Sequence, residues 1–390
     1  MATVEEHAAR VAAMLQFSLG AETVSLGEAL GRLTAKATLS PVDLPLFRNS
    51  QMDGFAVHAA DVATVPATLP IVGEIAARAA SPAFLEAGTA VRIMTGAVVP
   101  EGADAVIPVE DTTSTADQVS ITRSRSTGDY VRDRGSDALA GSELLPSGQL
   151  LAARHLAVLA AAGLDTVLVA KRVRVAVITT GAELISAGET PEPGQIYDAN
   201  QVALIAAATS AGAEVTLARR VIDEPALLLA ALDEAVTVAD VILTSGGISH
   251  GDYEVVRELL EPRGAWVGHV AMQPGGPQAT AVFDGVPVIC FPGNPVSTQL
   301  SFEVFVAPLL RRFAGLPPAR RSMRALNESV RSVDGKRQFL RGRIEGESVT
   351  PVSGPGSHLV AGLAAADCFI VIPESVTSVR LGESVEVWEL

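Results

Sequence analysis

Three short stretches of this chain carry the residue types that could hold an anion. They read TTGAEL (179–184), TSGGISHGD (244–252) and FPGNPVS (291–297). Each closes an apolar run and combines glycine with hydroxyl, amide or carboxylate groups. Glycines let backbone N–H groups approach a ligand closely, and a helix N-terminus favours negative charge. The carboxylates among them have two readings each. Glu183 follows Thr180 by three residues, which is the spacing of a capping box, or it is a functional carboxylate. Asp252 repels an anion unless it caps the next helix or holds a cation beside the anion. Asp223, in IDEP, reads as a turn before a helix, and Asp198 and Asn200 read as good N-caps. His250 reads as a loop-supporting histidine. No His/Cys/Glu set has structural-zinc spacing, and neither a P-loop nor a strand–GxGxxG–helix unit occurs.

The elements that must position these groups follow from the hydrophobic rhythm. From Val173 onward, nearly continuous apolar strands (VRVAVITTG, EVTLARRV, VILTSGG, VPVICFPG) alternate with helical runs (201–212, EPALLLAALDEAV, DYEVVRELL). A final helix is expected at Asn294-Pro295, an N-cap followed by proline at the first helical position. Alternation of this kind means βαβ units and a mostly parallel sheet covered on both faces. Ligands then sit outside the carboxyl ends of the strands, where all three stretches fall.

The first residues, 3 to about 20, read as a helix, and SLGEALGRLTA as a second short one. Residues 42 to 145 are β-rich, with turns at short intervals. Within them Asp53-Gly54 is a hairpin-type dipeptide, Thr95-Gly96 ends the run RIMTG, and Arg132, Arg134 and Asp137 share one loop. PSGQLLAARHLAVLAAAG predicts a helix stopped by Gly163. GLPPARR reads as a linker, and the tail from 321 is β-rich again (QFLRGRI, CFIVIP, VEVWEL).

Composition bounds the function. The 390 residues predict several domains, and a hydrophobic fraction of 48% supports packed cores. A net charge of −15 argues against nucleic acid as the main partner, though a local basic cluster suffices for a small anion. Basic residues crowd two stretches, Arg123–Arg134 and Arg311–Arg343 (the latter including Lys336), either as solvated surface or as an anion funnel. Cys290 and Cys368 sit in apolar runs and read as buried thiols. The N-terminus lacks a basic segment before its apolar part, and no run is long enough to span a membrane, so the expectation is a cytoplasmic protein with no membrane partner.

Taken in order, SQMDGFAV, VRIMTGAVVPEGADAVIPVE, YVRDRGSD, the G-x-x-L-x-x-x-G pattern at 141–148, VAVITTGAEL, GQIYDANQ, LTSGGISHGDY, FPGNPVST and GSHLVAGLAAADCFIVIPE resemble the MoeA / gephyrin E-domain family, the molybdopterin molybdenumtransferases. The resemblance runs almost the full chain. It implies a multidomain α/β plus β architecture, elongated: a helical linking domain from 1–50 plus 141–172, an inserted β-rich domain at 51–140, a MogA-like (adenylyltransferase-like) α/β molybdopterin-binding domain at 173–320 and a C-terminal β-barrel-like domain at 321–390. It implies a homodimer with its active site in a cleft shared between subunits, and insertion of molybdate into adenylylated molybdopterin with Mg²⁺-dependent release of AMP. A molybdopterin adenylyltransferase and recipient molybdoenzymes are implied as further partners.

Carried over, the catalytic positions are Asp53, Thr95, Asp137, Glu183, Asp223 and Asp252, with Glu183 and Asp252 as metal ligands. Thr180, Gly181, Ser245, Gly246, Gly247, Ser249, Pro292, Gly293, Asn294 and Pro295 would cradle the pterin phosphate or nucleotide. Thr95 is expected to donate to an oxyanion. The chain departs from the pattern at Gln273 and Gly276, where lysines are common, and at Ala182, where an aspartate is common. Two other readings compete: a gephyrin-like scaffold without turnover, and the preceding adenylylation step. The retained acidic set favours turnover, and the extra β domains speak against adenylylation.

Overall fold

The structure is a computed structural model that describes residues 1–79, 81–248 and 254–390. The chain forms two compact units, one from Met1–Ala21 and Ala170–Leu390, the other from Glu22–Val169.

In the first unit, six strands form one sheet in the order Glu214–Val221, Arg174–Thr180, Val241–Ser245, Val286–Phe291, Pro277–Phe283, Trp266–His269. The first four run parallel, and the last two add antiparallel at one edge. Both faces are buried, which is why these strands read as unbroken apolar runs. Alternation along the strand sorts the two cores. Val175 and Val177 join Leu243, Ile289 and Phe291 under the helices Val4–Met14, Ala199–Ser210 and Pro295–Phe305. Ala176 and Ile178 join Ile242, Val288 and Cys290 under the helices Pro225–Val238 and Val255–Leu260. Asn294 and Pro295 stand at the N-cap and first helical position, as the sequence predicts.

The C-terminal residues of this unit close a five-stranded barrel. Arg337–Glu345 pairs with Ser348–Pro351 and with Cys368–Ile372, and the circuit runs through Arg321–Leu326 and Ser384–Glu389. Closure removes sheet edges. One short strand from the α/β part, Met272–Gln273, pairs parallel to the start of Arg337–Glu345. This pairing fixes the barrel beside the α/β sheet.

The second unit centres on another six-stranded sheet, ordered Ala105–Pro108, Gly54–Val57, Ala90–Ile93, Ala67–Ile75, Gln118–Ile121, Thr112–Ser114. Phe55 and Val57 face one apolar core, Ala56 and Ile93 the other. The chain before and after this sheet pairs with itself, Thr38–Leu39 against Glu143–Leu145, over a small core of Ala29, Leu145, Leu151, Leu159 and Val167.

Two predicted helices are corrected. SLGEALGRLTA forms only a single 3-10 turn, Leu26–Glu28. Gly27 and Gly31 dilute its helical propensity, and Gly31 takes φ +71°, which ends any helix. The first helix stops at Met14, short of residue 20, because Leu15, Phe17 and Leu19 turn onto the α/β core instead.

Candidate functional site

A cleft of about 780 Å³ opens at the carboxyl ends of the parallel strands. Thr180, Gly181 and Glu183 line it from the first strand end, and Asp223 from the neighbouring one. Gly246 and Gly247 line it from the middle strand, and Pro292, Gly293, Asn294 and Pro295 from the next. Three stretches far apart in sequence therefore meet in one place, as parallel strand order demands.

The glycine pair is set by space as well as by backbone angle. Gly246 and Gly247 take φ of +99° and +67°. A Cβ on Gly246 would lie 2.5 Å from the Thr180 carbonyl oxygen and 2.7 Å from Thr180 Oγ1. One on Gly247 would lie 2.9 Å from Val256 Cγ2. No other residue fits either position without displacing a neighbouring chain. Thr180 is 6% exposed, and its Oγ1 has no hydrogen-bond partner among the described residues. A buried hydroxyl left unpaired at a cleft wall carries a desolvation cost that a ligand would relieve.

The capping reading of Thr180 and Glu183 fails. No helix follows Thr180; the chain turns, with Leu184 N donating to Gly181 O, and Leu184–Ile185 pairs with Ile196–Tyr197. Glu183 therefore lines the cleft with no helix to cap. Asp223 does not merely open a helix. Its Oδ2 accepts a 3.1 Å bond from the Ala182 N–H, so it holds the loop that presents Glu183. Neither Glu183 nor Asp223 has a cationic partner among the described residues.

Asp198 caps the helix and does more, while Asn200, expected as a cap, stands inside the first turn and bonds elsewhere. Asp198 accepts from Gln201 N at 3.0 Å as an N-cap, and its Oδ2 also accepts from Thr179 Oγ1 at 2.5 Å. Asn200 lies within the first turn, and its amide donates to Ser245 Oγ at 2.9 Å and to Gly293 O at 2.7 Å. Thr298 Oγ1 in turn donates to Pro292 O at 2.6 Å and lies 3.0 Å from Ser245 Oγ. This buried network locks the three strand ends together. Ser245 is thus a fully buried brace behind the cleft and does not line it. Ser249, His250 and Asp252 lie outside the described residues.

The barrel supplies the remaining wall, through Lys336 and the loop Pro355, Gly356, Ser357 and His358. The sequence pointed to Lys336 only as one member of the basic stretch 311–343, and to the loop 355–358 not at all as site residues. They carry no spacing signal, because only the strand pairing of Met272–Gln273 with Arg337–Gln338 brings them near. Arg341 shapes that loop: its buried guanidinium donates to Gly354 O and Gly356 O.

In the second unit, Asp53 and Thr95 are in contact. Asp53 Oδ1 accepts from both the Thr95 amide and the Thr95 hydroxyl, at 2.7 Å each. Those two bonds hold the Asp53 carboxyl below the usual carboxylate range. The Thr95 hydroxyl proton, expected to serve an oxyanion, is here committed to Asp53. Asp137 is exposed on a separate loop, anchored by its amide on Leu44 O. The arginine clusters are largely spent on local contacts. Arg125 pairs with Asp111, Arg134 with Asp43, Arg324 with Glu347, and Arg337 with Glu5 and Glu374. No arginine lines the cleft among the described residues. Both cysteines are free and buried, and burial pushes each thiol up to about 12.

A barrel, a second sheet unit and a strand-end cleft on a mostly parallel sheet define a multidomain α/β plus β protein with a polar, anion-suited cleft. Residues 2–163 match the MoeA N-terminal region (domain I and II), residues 176–312 a probable molybdopterin binding domain, and residues 323–390 the MoeA C-terminal region (domain IV). The chain belongs to the MoeA family. It is 41% identical to molybdopterin molybdenumtransferase 2 of Mycobacterium tuberculosis, with 100% of both chains covered. It is 36% identical to the molybdopterin molybdenumtransferase of Nostoc, covering 95% of this chain and 88% of that one. Among solved structures, the molybdopterin biosynthesis MoeA protein of Pyrococcus horikoshii superposes with a TM-score of 0.84 at 35% identity, covering 100% and 99% of the two chains.

Proposed function

We propose that this chain is a molybdopterin molybdenumtransferase that inserts molybdate into adenylylated molybdopterin and releases AMP. The observation that carries this reading is the cleft itself: unpaired carboxylates and glycine-exposed amides converge on one cavity, in a chain alike over its full length to proteins of that name. Cleaving an adenylate bond needs phosphate charge neutralised and an attacking oxygen positioned. The amides around Gly246, Gly247 and Gly293 meet the phosphate. The Thr180 hydroxyl donates to a ligand oxygen. Asp223 holds Glu183 in place through the Ala182 amide.

Mg²⁺ fits the same end of the cleft in a limited sense. The described residues include no group of three or more His, Cys, Asp or Glu set to hold a metal ion. Glu183 and Asp223 are nevertheless two carboxylates free of cations, and Mg²⁺ commonly takes one or two carboxylates and completes its shell with water and substrate phosphate. Glu183 and Asp252 are the proposed ligands, and the ion when bound would neutralise developing phosphate charge. Asp53, Thr95 and Asp137 belong to the proposal as molybdate-side groups. A homodimer, a cytoplasmic setting and transfer of product to recipient enzymes complete it.

The test is reconstitution. The purified chain, given adenylylated molybdopterin, Mg²⁺ and molybdate, is expected to activate an apo-molybdoenzyme. Failure at every molybdate concentration, from a chain that still binds the pterin, would instead favour a scaffold.

A further inference from the structure

The cleft has two electrostatic poles, and one residue makes the second. Glu183 and Asp223 sit at the ends of the strands Arg174–Thr180 and Glu214–Val221. These are neighbours at one side of the sheet. On the other side lie Gln273, Pro274, Gly275 and Gly276, entering the strand Pro277–Phe283, which lies next to the edge strand Trp266–His269. Two strands separate these sides. Lys336 lies on this second side, because the residues that follow it, Arg337 and Gln338, pair with Met272 and Gln273.

Lys336 is the one lysine or arginine lining the cleft among the described residues. It is half-buried and makes no ion pair there, whereas its neighbour Arg337 is saturated by Glu5 and Glu374. A half-buried ammonium beside a cleft, with no carboxylate of its own, strongly favours a bound anion, since low dielectric magnifies the attraction. The unpaired, 6% exposed Thr180 hydroxyl marks the same cleft as built for a polar ligand.

We infer that Lys336 is the phosphate-directing cation of this cleft: it draws the phosphate of the substrate toward the barrel side and so fixes which way the substrate lies across the strand ends. The inference deepens the proposed function and rests on that reading for the identity of the substrate. The backbone offers a way to move the charge. Gln273 faces the cleft next to Gln338, and Gly276 takes an ordinary backbone angle with nothing nearer than 3.6 Å to an added Cβ. A Cβ at Gly276 would meet only ordinary van der Waals contacts.

The probe is AMP, titrated calorimetrically into the full chain. Lys336→Met is expected to weaken AMP about tenfold and to flatten the salt dependence of binding, since a screened charge contact is lost. Lys336→Arg is expected to keep near-normal affinity, and Gln273→Lys placed in the Lys336→Met chain to recover most of the loss. In turnover, Lys336→Met raises KM and leaves kcat within about twofold, as removal of uniform binding does. Equal AMP affinity in the unmutated and Lys336→Met chains overturns the inference, as does the absence of AMP binding by the unmutated chain. Turnover with equal affinities refutes Lys336 alone. An affinity loss in a chain that never releases AMP from its substrate refutes the proposed function alone.

Discussion

Glu183 is the residue on which the chemistry and the local structure disagree most usefully. Its spacing from Thr180 fits a cap, but no helix is there to be capped. Removing its charge should therefore spare the fold. Glu183→Gln is expected to slow AMP release by about a hundredfold, the scale of a lost electrostatic contact to a reacting group, with an unchanged Tm. A fall in both activity and Tm would return Glu183 to a structural role. The same comparison shows what was legible. Gly246 and Gly247 could be picked from sequence because a glycine pair at a strand end advertises a backbone need. Glu183 stayed ambiguous because an i, i+3 hydroxyl–carboxylate pair looks the same before a helix and before a turn. Lys336 was legible only as one member of a basic stretch; that it alone of that stretch lines the cleft follows from the pairing of Arg337 and Gln338 with Met272 and Gln273, distant in sequence.

At the scale of elements, the cleft depends on how strands and helices are pinned. Gly246→Ala would push a methyl to 2.5 Å from the Thr180 carbonyl, at a backbone angle L-residues avoid. A loss of roughly 2–4 kcal/mol in denaturant unfolding is expected, with weakened AMP binding; an unchanged midpoint would mean the strand ends are looser than their hydrogen bonds imply. The first helix is pinned by His7. Its ring is fully buried, lies tilted against Trp266 and edge-on to Phe305, and has no hydrogen-bond partner on either nitrogen among the described residues. Burial, and secondarily the Arg10 charge, lower its pKa from 6.5 to about 4. The unfolded chain then binds the proton more readily than the folded one. Stability is complete above pH 6.5 and is lost as pH falls from there toward 4, by roughly 3 kcal/mol over the whole interval. His7→Phe is expected to flatten this part of the stability profile. A profile of equal slope in both chains would show that other groups dominate. The strand alternation that fixes both cores was readable from the apolar runs, since sheets covered on two faces leave no polar register. The segment 25–35 was not, because its two glycines matter more than its apolar spacing.

For the whole molecule, the family match extends across both compact units, so activity is expected to need both. The homodimer belongs to the same claim, and sedimentation at micromolar concentration is expected to show twice the mass of one chain. A strictly monomeric active enzyme would contradict a shared site. The acidic surface, at net charge −15, leaves anion capture to the cleft rather than to a general field. The most direct measurement is AMP release by the purified chain from adenylylated molybdopterin, with Mg²⁺ present and molybdate varied. Release that rises with molybdate and stops on chelation is the predicted result. Release that ignores molybdate, or no release while substrate still binds, would contradict the account.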